Sequence, residues 1–287
     1  MKTALIAPLG DFNLNVGAIK MAFAGIVSQS DSYRTYLQTD PRYTILHGTP
    51  ESLDNEDLAD MMTAVSPDEV VLPHLAGDRS GTYELAMDFY NDHIVGMEKK
   101  PRVMAVAQGG TMDEWMESYT TWLDLELIDV IGVPTDIDFK VGATGPDLDT
   151  LGIVERRSYY RRKLVNHIHY HSRLKPAHLL GINNLAELEL LRDSGANRHG
   201  SLRSVSSVAP FTEAAAGIDW SQFLAVDKHF ERLCEYPNPN HEWDDQDKVI
   251  AYKNLMTFAE ASGDHSVSYN LGRIAQHDEI IQPKENQ

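Results

Sequence analysis

Short apolar or β-branched runs recur along the chain, and each is followed by a stretch in which apolar positions return every three or four residues. Tyr43-Thr44-Ile45-Leu46 precedes a helical stretch from Asn55 to Thr63, and Glu69-Val70-Val71-Leu72-Pro73 precedes one from Thr82 to His93. Val103-Met104-Ala105-Val106-Ala107 leads through Gly109-Gly110 into Met112 to Leu125, and Ile128 to Val133 leads into a loop rich in Gly, Pro and Asp. Helical spacing resumes from Ser158 to His171. His178-Leu179-Leu180-Gly181-Ile182 and Leu202-Arg203-Ser204-Val205-Ser206 then read as strands, followed by helices over Leu185 to Asp193 and from Thr212 to Ala216.

Alternation of this kind is the pattern of βα units around a parallel sheet. With one strand near the N-terminus, about seven candidates are present, which predicts a (β/α)8 TIM-type barrel with a C-terminal helical extension. A doubly wound open sheet is the alternative, because strand count alone does not prove closure. The pattern changes at the turn-rich Tyr236-Pro237-Asn238-Pro239-Asn240, after which Asp244 to Ala261 forms an amphipathic helix. The expected organisation is a single domain, with the barrel over 1–235 and a helical segment over 236–287 packed on it. Residues 282–287 read as a loose end.

At 287 residues, with 42% hydrophobic and 24% charged, the chain has an ordinary globular composition. Forty-three acidic against twenty-five basic residues give a net charge of −18, which opposes a broad nucleic-acid surface. A local basic patch interrupts the acidic background: Arg156, Arg157, Arg161 and Arg162, with Lys163, interleave with Tyr159 and Tyr160. Cations and aromatics in that mixture suit DNA or RNA, although the same spacing also describes a solvated helix face. One cysteine, Cys234, excludes an internal disulfide and a four-cysteine zinc site, and points to a reducing compartment, hence the cytoplasm, or a host cytoplasm for a viral protein. No run is long enough to span a membrane, so no membrane partner is expected. A homo-oligomer remains open.

In a barrel the loops after the strands converge on one face, so the residues at strand C-termini are the first site candidates. Here they are His47, His74, Gln108, Thr135 with Asp136, Asn183, and Ser206 with Ser207. The Gln108 amide carries both a donor and an acceptor and matches a purine-like edge, and Gly109 and Gly110 let backbone approach a flat ligand; the alternative is that the glycines only turn the chain into a helix. His47 and His74, with Asp78, would make a catalytic or metal pair, or ordinary hydrogen-bonded histidines. His167, His169 and His171 alternate, which on a strand would suggest a metal site, but they continue a helical stretch, where this spacing scatters them.

The order of Tyr43-Thr44-Ile45-Leu46, Asp68-Glu69-Val70-Val71-Leu72-Pro73, Val106-Ala107-Gln108-Gly109-Gly110, Ile131-Gly132-Val133-Pro134, His178-Leu179-Leu180-Gly181-Ile182 and Arg203-Ser204-Val205 resembles the tRNA-guanine transglycosylase superfamily. The likeness is strongest to its small bacteriophage-encoded members implicated in 7-deazaguanine DNA modification, and spans roughly residues 20 to 260. It implies a barrel that binds guanine or a deazapurine and exchanges the base in DNA or RNA by way of aspartates; the zinc site of the tRNA enzymes needs several cysteines and the chain has only Cys234, so no cofactor is expected. The family's base-binding glutamine and glycine fall on Gln108 and Gly109, and a further glycine on Gly132.

The acidic residues depart from the family pattern. His47, His74 and Ser206 stand where aspartates are expected, leaving Asp78, Asp136 and Asp138 as the nearby carboxylates. A covalent glycosyl intermediate needs a carboxylate or an activated substitute. Three readings follow: a base-exchange transglycosylase with His47, His74, Asp78, Asp136 and Ser206 as candidate catalytic residues; a lapsed barrel acting as a binding or structural protein; and a metal-dependent hydrolase built on His47, His74 and Asp78.

Overall fold

The computed structural model describes residues 1–48, 55–137, 139, 152–171, 175–182, 184–222 and 241–277. Eight parallel strands close into a barrel in chain order: β1 (Lys2–Ile6), β2 (Ile19–Phe23), β3 (Tyr43–His47), β4 (Glu69–Val71), β5 (Arg102–Val106), β6 (Val130–Val133), β7 (Ala177–Leu179) and β8 (Leu202–Ser207). Pairing of β8 with β1, with Ser204 opposite Lys2 and Ser206 opposite Ala4, completes the closure and excludes the open sheet.

Two strands, not one, lie near the N-terminus. β2 escapes pattern reading because Lys20 breaks its apolar run. That lysine is buried on the outer side of the barrel wall and donates to the carbonyls of Leu37 and Asp40.

The helices are α1 (Ala24–Val27), α2 (Asp31–Thr39), α3 (Asn55–Val65), α4 (Arg79–Phe89), α5 (Met112–Asp124), α6 (Ile153–His171), α7 (Leu185–Arg192), α8 (Gly195–Arg198), α9 (Ala209–Ala215), α10 (Asp245–Ser262) and α11 (His265–His277). α4 begins three residues earlier than its apolar spacing suggests, because Asp78 caps it by accepting from the Gly81 N–H, and it runs on through a π-helical turn over Tyr90–Ile94. α5 starts with a capping box between Thr111 and Glu114. α10 packs against α9 and α7, with Asp244 as N-cap and Gly263 as left-handed C-cap at φ 70°. Asp264, between α10 and α11, accepts from both the backbone N–H and the hydroxyl of Thr3 on β1, and so ties the C-terminal helices to the barrel. Residues 223–240, which contain the expected boundary at 235 and Cys234, lie outside the described residues.

Side chains alternate across the barrel wall, and the strand registers fix which set points in. Ile19, Met21 and Phe23 share the inner face with Tyr43, Ile45 and His47, then Glu69 and Val71, then Met104, Val106 and Gln108, then Gly132, then His178. Between β7 and β8 the register slips: Ala177 faces Leu202 but His178 faces Ser204, so Arg203 is an extra residue at a bulge. The bulge lets Arg203 reach across the interior to the opposite strand. Its guanidinium makes two bonds to the Glu69 carboxylate, at 2.7 and 2.8 Å, and the Tyr43 hydroxyl donates to the same carboxylate at 2.7 Å. The barrel is therefore filled by an ionic bridge near its N-terminal end and by apolar side chains and imidazoles above it.

Candidate functional site

The ends of β3, β4 and β5 carry an arc of rings and one amide. His47 is the last residue of β3 and is buried. Its ring stacks on His74 with centroids 5.4 Å apart and planes 2° from parallel, and lies 5.5 Å from the ring of Phe23 at the end of β2. His74 follows β4 and is half-buried, with Nδ1 3.3 Å from the Leu72 carbonyl. A carbonyl only accepts, so this contact places a proton on Nδ1 and leaves Nε2 as the lone-pair nitrogen.

Burial pushes the His47 imidazole down to about 3, and the neighbouring His74 adds to the shift. Burial also lowers His74, opposed by the Leu72 carbonyl and by the charge of Asp136. Both rings are neutral near pH 7.

Gln108 follows β5 and is 4% exposed. Its Oε1 accepts from the Gly77 N–H at 3.0 Å, and its backbone N–H donates to the Ser118 hydroxyl. The contact with Gly77 pins the loop that carries His74, and Thr82 pins it a second time by bonding to both the N–H and the carbonyl of Leu75. The Gln108 Nε2, by contrast, is buried with no partner among the described residues, as is His47 Nδ1. A buried donor left unpaired costs about 1–3 kcal/mol, which a ligand acceptor would recover.

Most of the residues singled out from the sequence have a definite place. His47, His74 and Gln108 come together on the arc, and exposed Asp136, beyond β6, is close enough for its charge to act on His74. Asp78 does not join them, since its carboxylate caps α4. Ser206 is also committed: its hydroxyl accepts from the Gly181 N–H at 3.1 Å and donates to the Leu179 carbonyl at 3.3 Å, stitching β7 to β8. A nucleophilic role for Ser206 would break that stitch. The Thr135 hydroxyl is likewise bound to the Leu180 carbonyl. Asn183 and Asp138 lie outside the described residues.

The glycines pack protein against protein. A Cβ on Gly132 would sit 3.0 Å from Val106 and 3.3 Å from Met104, so Gly132 makes room inside the barrel rather than for a base. A Cβ on Gly109 would sit 2.4 Å from the Trp115 backbone nitrogen, so Gly109 lets the first turn of α5 close against the strand end. Gly109→Ala is expected to cost about 1–3 kcal/mol, read as a lower urea midpoint with an unchanged m-value.

The basic patch does not form a continuous surface. Arg161 is fully buried, pairs with Glu187 at 3.3 Å and donates to the Gly181 carbonyl at 2.9 Å, which removes it from the expected nucleic-acid contacts. Arg156, Arg157 and Arg162 are half-buried on α6, and exposed Lys163 lies over the Tyr159 ring. His167 meets Tyr119 edge-on while His169 stacks on His199, so the helix scatters them. Among the described residues no group of three or more His, Cys, Asp or Glu side chains is placed to hold a metal ion.

Two participants have no clear signal in the sequence. Phe23 belongs to the strand hidden by Lys20. His178 opens the run His178-Leu179-Leu180-Gly181-Ile182 and reads as part of its strand, yet it faces into the barrel, fully buried, with Nδ1 2.7 Å from the Ser204 hydroxyl. Burial, Arg203, His47 and Arg161 together hold it well below the usual imidazole range.

A groove of about 340 Å³ between α4 and α5, lined by Arg79, Tyr83, Glu84 and Trp122 among others, shares no residue with the arc. No described helix is long and apolar enough to cross a membrane. The chain matches no protein-family model, and no curated protein matches it.

Proposed function

We propose that this barrel binds a guanine or 7-deazaguanine base at the mouth formed by Phe23, His47, His74 and Gln108. The observation that carries the reading is the buried, unpartnered Gln108 Nε2 beside a stack of neutral rings. An amide donor of this kind calls for a ligand acceptor such as a purine carbonyl, and the flat rings suit a planar heterocycle. The resemblance to the transglycosylase superfamily, through Gln108 and Gly109, points to the same ligand class. Base exchange on DNA or RNA is the corresponding reaction. With Asp78 and Ser206 committed elsewhere, Asp136 is the carboxylate of the arc that remains for it.

A nucleic acid would meet the rim through the remaining Arg156, Arg157 and Arg162, and the single cysteine suits a cytoplasmic setting. The commitment of Ser206 and Asp78 specifically favours a second reading, a barrel that keeps base binding without turnover.

Calorimetric titration with guanine tests binding. Gln108→Ala is expected to weaken it about tenfold, the equivalent of one lost hydrogen bond in a buried site. Incubation of guanine-containing DNA and RNA with a labelled 7-deazaguanine tests exchange. Incorporation that disappears in Asp136→Asn supports catalysis; guanine binding without incorporation supports the binding protein; absence of both defeats the proposal.

A further inference from the structure

We infer that His178, to which the sequence motifs assign no role, forms the floor of the mouth and donates from Nε2 to the carbonyl of a bound oxo-heterocycle, its tautomer set from below by Ser204 and Arg203. This rests on the base-binding reading for the identity of the ligand but not for the state of the ring.

The tautomer follows from a chain of bonds in the barrel interior. The Arg203 Nε–H can only donate, and it does so to the Ser204 hydroxyl oxygen at 3.1 Å. Ser204 is fully buried, so its own hydroxyl proton needs an acceptor, and the described acceptor is His178 Nδ1 at 2.7 Å. An imidazole that accepts at Nδ1 and is neutral carries its proton on Nε2. That Nε2 is buried and without a partner among the described residues. Arg203 cannot swing away to relax the chain, because its other nitrogens are held by the Glu69 carboxylate across the barrel.

The result is a fixed, desolvated N–H in the interior shared with His47, whose Nδ1 is also buried and unpaired. Preorganised donors of this kind bind an oxygen with little reorganisation. His178 is therefore a binding and positioning residue, and Ser204 and Arg203 act through it.

Long-range proton–nitrogen correlation spectra of the full chain labelled with ¹⁵N-histidine read the tautomer directly, before any ligand is added. The expected result is His178 as the Nε2–H form, with Ser204→Ala mixing the two tautomers; an Nδ1–H ring in the wild-type chain overturns the inference. Titration with guanine, and separately with uracil as a smaller oxo-heterocycle, is expected to move the His178 Nε2–H signal. His178→Phe, checked for folding by its thermal transition, is expected to bind about tenfold more weakly.

If guanine binds while the His178 signals stay still and His178→Phe binds equally well, the inference fails and the base-binding reading stands. If uracil alone moves the signal, the inference stands and the guanine reading fails. If neither probe binds, both are overturned.

Discussion

Lowering the pH from about 7.5 to 5 is expected to remove roughly 2 kcal/mol of stability through His47, with His178 adding to the loss in the same direction. Both imidazoles are buried and depressed, His47 to about 3 and His178 well below its usual range, chiefly by burial. In the unfolded chain each takes up a proton near pH 6.5. Below that pH the unfolded state binds more protons than the folded one, so stability falls as the pH falls. The loss begins near 6.5 and continues until the folded rings themselves titrate. Each ring that stays neutral contributes a slope of about 1.4 kcal/mol per pH unit.

The carboxylates act in a separate window. Asp219, held at about 2 despite some desolvation by bonds from Lys253, Ser221 and Gln222, loses its contribution only below the ordinary aspartate range. Urea midpoints measured from pH 7.5 to 5 should therefore decline, and His47→Phe, which can keep the ring contacts, should flatten the decline. A stability that stays level across this range would mean that the rings are hydrated or protonated in the folded protein.

The second large effect is expected at the ionic bridge. Glu69→Gln or Arg203→Met should each cost about 3–5 kcal/mol, because either change strands the opposite charge inside the barrel. For a chain of this size that corresponds to a fall of roughly 6–20 °C in Tm. The double replacement Glu69→Leu with Arg203→Met should recover much of the loss, since it removes both desolvation penalties, although the Tyr43 hydroxyl then lacks its acceptor. Thermal melts of the two single variants and the double variant make a complete cycle. Single losses below about 1 kcal/mol, or strictly additive ones, would show that the two charges do not depend on each other.

The barrel was legible because six strands announce themselves by apolar runs between helical stretches, and the parallel pairing demands crossovers of that length. β2 was hidden because its lysine is satisfied by carbonyls at the end of α2, 17 and 20 residues ahead in the chain. α11 was hidden because much of its first turns is polar, and its place depends on Asp264 gripping Thr3 some 261 residues away. The arc was half legible. His47, His74 and Gln108 could be named because they follow strands, whereas the commitments of Asp78 and Ser206 could not, since a cap and a strand stitch look the same in sequence as free polar side chains. The tyrosine-flanked arginines showed the converse error: two pairs of arginines close together suggest a surface, but the helix turns Arg161 inward onto Glu187.

The sequence by itself determined the repeated βα alternation, the parallel α/β class and the set of polar residues at the strand ends. These depend on local periodicity and on where strands stop. Closure of the barrel, the bulge at Arg203, the Glu69 bridge and the buried donor of His178 were decided only by the tertiary structure. Each of them depends on which residues from distant strands face one another across the interior, and burial then sets the protonation of the rings. The same imidazole is a charge in water and a neutral donor inside the barrel, and the difference lies in its surroundings.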